Sequence, residues 1–475
     1  MKNLSILAIF CGLLFFPYGV SAQDDAQETT VLTLDQAIRI ALSENIAVRV
    51  ADKDIERAEY ARKGTYAALF PQVDGSASYS RTIKKQVMYM DFDMGSIMGG
   101  GGEEGAEGAE TKAGGSDGGG SKNGGGIEVG RWNTYSAGVQ ASMPLVNAQL
   151  WKSLEISGQD VELAVERARS SRLETVTQVK QAFYGVLLAK EVYAVYESVY
   201  DNAVRNFNQV QMKYNAQKAS ELDFVRAKTA VTSAIPDLYD ADNAIALALW
   251  RLKAVMGVDL DMNLDVSGSL QDYSQQMFYD IHRHEGAPLD RNATMRQIAI
   301  QAEELANAIK MQQYASLPTL SLGFAYSLNA MTNDFKFSEY KWSPYSYIGL
   351  SLAIPIFAGG RRSSAVKQAQ VQSRELELQR LDTERQLKIS IRQQLNTMET
   401  AMNSLSAAQE SVETAAKAYD IASKSYDVGR STLTDLNAAQ LALTQAQLSV
   451  SQAIYSFVSA QAQLEQILGI DEEEQ

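Results

Sequence analysis

Within Leu433–Leu468 every seventh residue from Leu436 is large and apolar: Leu436, Leu443, Val450, Phe457 and Leu464. A second line, Ala439, Ala446, Ala453, Ala460 and Ile467, is small until its last member. The same pattern stands 212 positions earlier as Phe224, Val231, Leu238, Ile245, Leu252 and Ala227, Ala234, Ala241, Ala248, Val255. A seam of large and small residues held over five heptads predicts a helix packed along partner helices with a left-handed supercoil, the alanines letting a neighbour approach closely. Two such seams at a fixed separation predict a chain built from two structural repeats.

A chain of 475 residues ordinarily divides into about three domains, but the repeat overrides that expectation. Hydrophobic content of 45% and charged content of 21% are those of a folded protein. The net charge of −14 argues against nucleic acid as a partner. At the N-terminus Lys2, the apolar run Leu4–Phe16 and the small-x-small site Val20-Ser21-Ala22 predict a signal peptide over residues 1–22. The only cysteine, Cys11, lies inside it, so the mature chain is expected to have no thiol chemistry. No later stretch has the length of a transmembrane helix, which leaves β-strands as the means of any membrane insertion.

The first repeat is assigned to residues 23–257. Thr33-Leu34-Asp35-Gln36 forms a capping box opening one helix to about Tyr66, ended by Pro71. A strand follows with Val73, Gly75, Ala77 and Tyr79 on one face, and a second at Arg131–Met143 with Tyr135, Ala137, Val139 and Ala141 on one face. Between them the acidic, glycine-rich segment 95–126 reads as a flexible loop without calcium-ligand spacing. A helix of roughly 100 Å is expected from Ala148 to Asn215. The heptad helix Ser220–Met256 then contains Pro236, expected to kink or break it.

Residues 258–288 read as an irregular connector, and 289–475 retrace the first repeat. A helix is expected over Arg291–Ala315, with Pro318 standing where Pro71 stood and Asn292 where Asn45 stood. Strands follow through Leu320–Leu328 and Tyr347–Ile356, then a long helix Arg361–Asp427 and an acidic tail Asp471–Glu474. Trp132, Tyr135, Tyr340, Trp342, Tyr345 and Tyr347 cluster at strand ends, as an interfacial aromatic girdle would. The fold class is therefore mainly α with a transmembrane β part. A soluble sandwich would share the strand alternation, but helices this long and an export signal favour the membrane. Four strands cannot close a barrel with a lumen, so closure needs several chains.

These features resemble the TolC-type outer-membrane channels of tripartite efflux and type I secretion systems. The resemblance rests on Leu34-Asp35-Gln36-Ala37, Leu69-Phe70-Pro71-Gln72 and Leu317-Pro318-Thr319 before the strands, and Met143-Pro144-Leu145 and Ile354-Pro355-Ile356 after them. Tyr426-Asp427-Val428-Gly429-Arg430-Ser431-Thr432 and the Met256-Gly257 and Leu468-Gly469 helix ends complete it. It implies a homotrimer with a 12-stranded barrel in outer-membrane lipid, a helical tunnel in the periplasm and the 95–126 loop outside the cell. It also implies a periplasmic adaptor and an inner-membrane efflux pump or ABC transporter as partners.

Residue by residue, the resemblance places adaptor contact at Val428, Gly429, Arg430, Ser431 and Thr432, with Ala216, Gln217, Lys218, Ala219 and Ser220 as the first-repeat copy. Asp435 matches the first of two acidic residues that ring the entrance, and Asp223 is its equivalent; the second position is Ala438 here. Ser220–Asp223 and Thr432–Asp435 also fit capping-box spacing, so each carboxylate can serve a helix end, an entrance, or both. No catalytic or cofactor constellation is apparent: His282-x-His284 could help bind a metal but, with no nearby cysteine and no clear carboxylate partner, reads as an exposed loop, and no glycine loop is arranged to cradle phosphate. The chain reads as a passive duct and not an enzyme. The rival is a pore-free coiled-coil structural protein or adhesin of the envelope.

Overall fold

The computed structural model describes residues 30–88, 127–278 and 288–470. The expected signal peptide 1–22, the loop 95–126, His282, His284 and the tail Asp471–Glu474 lie outside them. The elements run β1 (Thr30–Leu32), α1 (Leu34–Glu44), α2 (Ile46–Ala67), β2 (Gln72–Arg81), β3 (Gln86–Met88), β4 (Ile127–Val129), β5 (Asn133–Val146), α3 (Ala148–Asn215) and α4 (Glu221–Met256). They continue with β6 (Leu264–Val266), α5 (Ala293–Tyr314), β7 (Thr319–Thr332), β8 (Ser343–Ala353), α6 (Arg361–Asp427) and α7 (Leu433–Leu468). The chain divides into two units. One is drawn from Met1–Asp52, Ala168–Thr294 and Glu384–Gln475, the other from Lys53–Arg167 and Met295–Thr383.

The second unit holds an antiparallel sheet in the order β2-β5-β7-β8. Residues directly opposite share a face. Val73, Ala141, Phe324 and Ile348 stand in one such row, while Asp74, Gln140, Ala325 and Tyr347 stand in the next, on the other face. The apolar face is open: Val73, Ile348, Leu350 and Leu352 are 59–73% exposed. At one end Tyr79, Tyr135, Phe337 and Tyr340 form an aromatic cluster with centroids 4.8–5.4 Å apart. Tyr345 and Tyr347, expected in the same girdle, fall on the polar face instead, because the register places them opposite Ser327 and Ala325. β8 stops at Ala353, short of the expected Ile356, since Pro355 has no N–H for the ladder. Beside the sheet, α3 and α5 share a polar seam: Asn307 Nδ2 donates to Gln159 Oε1 (3.1 Å) and Arg296 faces Glu166 at 3.8 Å.

The first unit carries the main core. Phe183 and Leu187 of α3, Leu252 and Met256 of α4, Leu405 of α6, and Ile454 and Phe457 of α7 are buried together. The alanine lines are buried as the seam requires, at Ala227, Ala234 and Ala241 on α4 and Ala446, Ala453 and Ala460 on α7. α4 continues through Pro236 without interruption. The ring stands on the exposed face of the helix, away from the alanines whose packing holds both flanking turns. Within the 258–288 connector the described residues carry more order than the composition suggested: β6 pairs in parallel with β1, and a 3-10 run follows over Leu270–Phe278.

The expected single helix to Tyr66 is broken in two at Asn45, whose ψ of 129° is not helical. Asn45 Oδ1 accepts from the N–H groups of Ala47 (2.7 Å) and Val48 (3.3 Å), and its Nδ2 donates to Val255 O (2.6 Å). One carboxamide thus starts α2 and satisfies a carbonyl at the end of α4. Asn292 Nδ2 likewise donates to Ile467 O (2.7 Å) at the end of α7. Both helices end in left-handed glycines, Gly257 (φ 77°) and Gly469 (φ 67°). A Cβ there would sit 2.7 Å from Glu44 O and 2.2 Å from Arg291 O respectively, so each joint is a backbone-to-backbone contact. Arg169 reinforces the second joint, donating to Arg291 O (3.1 Å) and Gly469 O (3.0 Å).

Asn45→Ala should lower stability by about 2 kcal/mol, the sum of a lost cap and a stranded carbonyl, and Asn292→Ala by about 1–2 kcal/mol through the stranded carbonyl of Ile467. Exposed Asn403→Ala, on α6, should change it by no more than ~0.5 kcal/mol. Chemical unfolding of the three variants checks this.

Candidate functional site

The adaptor-contact residues expected from the sequence occupy the two turns that join the paired long helices. After α6, Gly429 takes φ 74°; its N–H donates to Tyr426 O (3.1 Å) and that of Arg430 donates to Ser425 O (2.8 Å). This pair of bonds satisfies the last carbonyls of the helix, as a left-handed cap requires. Ser431 Oγ donates to Ala422 O (3.2 Å), folding the turn against its own helix. Thr432 then caps α7 reciprocally: Asp435 N–H donates to Thr432 Oγ1 (3.2 Å), and Thr432 N–H donates to Asp435 Oδ2 (3.0 Å). The Thr432 hydroxyl also donates to Asp435 Oδ2 (2.6 Å). That hydroxyl, followed by the Thr432 N–H, holds the Asp435 carboxyl below its ordinary value of 3.8.

The first turn is the same structure with a harder residue at its centre. Gln217 N–H donates to Tyr214 O (2.8 Å) and Lys218 N–H to Lys213 O (2.7 Å). Gln217 has φ 57°, the one non-glycine residue at positive φ among the described residues. A left-handed conformation costs a residue with a Cβ roughly 1–2 kcal/mol. Asp223 N–H donates to Ser220 Oγ (3.1 Å), whose hydroxyl donates back to Asp223 Oδ2 (2.7 Å). Both acids therefore serve their helix ends.

The two turns are held together by a small apolar cluster. Val210, Ala227, Leu433 and Leu436 are buried in it, with Phe207, Phe224, Tyr419 and Tyr426 packed around them. Tyr214 stacks on Phe224 at 5.0 Å, and Lys213 Nζ lies 4.7 Å from the Tyr426 ring centroid. Burial, then Asp223 and Asp427, pushes the Tyr426 hydroxyl up. Arg226 Nη1 donates to Thr434 Oγ1 (3.5 Å) and Asn202 Nδ2 to Gln440 Oε1 (3.2 Å), tying α4 and α3 to α7. Lys213, Arg226 and Tyr426 were not singled out as cross-links from sequence. The available signal was Tyr214 and Tyr426 standing at equivalent places in both turns.

Among the described residues no group of three or more His, Cys, Asp or Glu could hold a metal ion. A hollow of about 1020 Å³ between α3, α6 and α7 is lined by Leu188, Val192, Ile389 and Leu448, with Arg392 as its only charged side chain. Acid–base catalysis needs a partner group that this lining lacks.

Gln217→Gly should stabilise the first turn by about 0.5–1 kcal/mol, the relieved strain less the added entropy of glycine, and Gly429→Gln should cost the second about as much. Because the folded Asp435 carboxyl lies below its unfolded value, its capping contribution is complete above pH 3.8 and fades as pH falls through the lowered folded value. Hydrogen exchange at 216–223 in the Gln217 variant, and at 428–436 in the Gly429 variant and as a function of pH, reads these effects.

The sequence profile of the family described as "Outer membrane efflux protein" matches residues 37–258 and 287–470. The outer membrane protein TolC of Vibrio cholerae is 22% identical over 249 residues, 50% of this chain and 54% of that protein. The chain thus spans about half the length of the curated relatives it matches. The V. cholerae outer membrane protein VceC shares the fold with a TM-score of 0.67 at 15% identity, covering 92% of this chain and 96% of that one. The Campylobacter jejuni outer membrane channel CmeC gives a TM-score of 0.66 at 18% identity, covering 92% and 85%. With that profile matched over two stretches that together make up most of the chain, the chain belongs to the outer membrane efflux protein family.

Proposed function

We propose that three copies of this chain, each made of the repeats 23–257 and 289–475, close a 12-stranded barrel in the outer membrane. In this reading α3, α4, α6 and α7 continue it as a periplasmic duct that narrows at the two turns. The observation that carries the proposal is the sheet, apolar on one face, small and polar on the other, with both edge strands unpaired. In lipid every backbone polar group needs a partner, so such a sheet must be closed by further copies. α4 supports the same conclusion, since Leu222, Val225, Tyr239, Leu247 and Trp250 are 51–70% exposed on its outer face. Chains that meet along that face would cover them.

The turns are the moving part in this proposal. An adaptor engaging Ala216–Ser220 and Val428–Thr432 would splay the helices by prising open the small cluster at Val210 and Leu436, while Asp223 and Asp435 ring the entrance. Substrate supplied by an inner-membrane efflux pump or ABC transporter then leaves through the barrel, and the chain conducts passively.

The test is mass and conductance of the detergent-solubilised protein. A trimer with small, cation-preferring conductance is expected. Leu436→Ala, which empties a packed position at a cost of about 2–5 kcal/mol, should raise the conductance, and Asp435→Asn should reduce the cation preference. A monomer that never conducts, with or without Leu436→Ala, would overturn the duct.

A further inference from the structure

The two hairpins of the sheet are in one register. Val73 opposite Ala141 in β2–β5 recurs as Leu320 opposite Leu352 in β7–β8, 247 and 211 positions further on. The same offsets carry Ser80 opposite Thr134 onto Ser327 opposite Tyr345. Between the hairpins, β5 pairs with β7 through Ala141 opposite Phe324. Under the two offsets that pairing has one further image, Leu352 of β8 opposite Ala77 of β2. Within one chain β2 and β8 are the opposite edges of the sheet. The image therefore joins two copies.

A glycine supplies independent support. At Gly138 a Cβ would stand 2.8 Å from Tyr326 O and 3.3 Å from Ser327 Cα, so the approach of β7 forbids a side chain there. Gly349 is the image of Gly138, yet a Cβ at Gly349 meets nothing nearer than a ring carbon of Tyr347 at 4.0 Å. A strand glycine costs stability and commonly marks a close backbone approach. The images of Tyr326 and Ser327 are Tyr79 and Ser80, identical in type. Gly349 has its reason once β2 of another copy lies beside it. The faces agree as well: Leu350 and Leu352 meet Tyr79 and Ala77 on the apolar side, and Ser351 meets Ser78 on the polar side. A slip of one residue would invert all of them.

We infer that β8 of one copy pairs antiparallel with β2 of the next, Leu352 opposite Ala77 and Gly349 opposite Ser80. This deepens the trimeric duct proposed above and rests on it. The experiment uses the full chain, purified in detergent, with its native mass measured first. The chain's single cysteine, Cys11, lies in the expected signal peptide, so paired cysteines report without background. Leu352→Cys with Ala77→Cys, and Ser351→Cys with Ser78→Cys, should oxidise to covalent trimers with loss of the monomer band. The slipped pair Leu352→Cys with Gly75→Cys should stay monomeric on denaturing gels. Gly349→Val should shift the protein from trimer to monomer without oxidation. A trimer that cross-links at the slipped pair but not at 352/77 or 351/78 overturns the register and leaves the duct standing. A protein that is monomeric before oxidation overturns both.

Discussion

Backbone groups that the helix and sheet ladders leave without a partner govern this structure at every level. Where they fall inside it, side chains are committed to them. The carboxamides of Asn45 and Asn292 are spent on the ends of α4 and α7, and the guanidinium of Arg169 on the carbonyls of Arg291 and Gly469. Gly257 and Gly469 then have to be glycines twice over, for positive φ and for a neighbouring backbone closer than any Cβ tolerates. At the outer edges of β2 and β8 the ladder ends, and in the proposed trimer a strand of the next copy continues it. There the requirement that locks the helix ends inside one chain is met between chains.

The long elements were legible because their signals are long. The heptad lines from Phe224 to Val255 and from Leu436 to Ile467 hold one period over five heptads, and α3 and α6 run unbroken between the residues that composition alone marks as breakers. Strand faces were legible for the same reason, since Val73, Ala77, Phe324 and Leu350 obey a period of two. What was missed is carried by single side chains acting at a distance. The break at Asn45 depends on Val255, which is 210 positions away. The pairing of β1 with β6 joins two three-residue strands too short to show a period. Tyr347 alternates with Ile348 and Leu350, so its place on the polar side was legible, whereas Tyr345 looked like its aromatic neighbours until the register set it opposite Ser327. At the turns the residues around Gly429 were legible as a helix stop, whereas Lys213 over Tyr426 and Arg226 on Thr434 exist only once four helices are side by side.

The contrast between the two ends of the long helices bears on where the molecule yields. In the first unit Phe183, Leu252, Phe457 and their neighbours form an extensive core, with the asparagine joints and the Lys180–Glu465 pair (2.7 Å, largely buried) beside it. At the turns four buried residues hold the helices, and one of the turns keeps Gln217 in a left-handed conformation. Local opening is cheapest where few apolar contacts must be broken. Strain at Gln217 raises the energy of the closed turn further, while its counterpart at Gly429 carries none. The two turns are thus unequal although they share one geometry. Any force applied at this end meets its least resistance at Ala216–Ser220, where loosening releases strain as well as contacts, before it reaches the reciprocal cap that Thr432 and Asp435 place on α7.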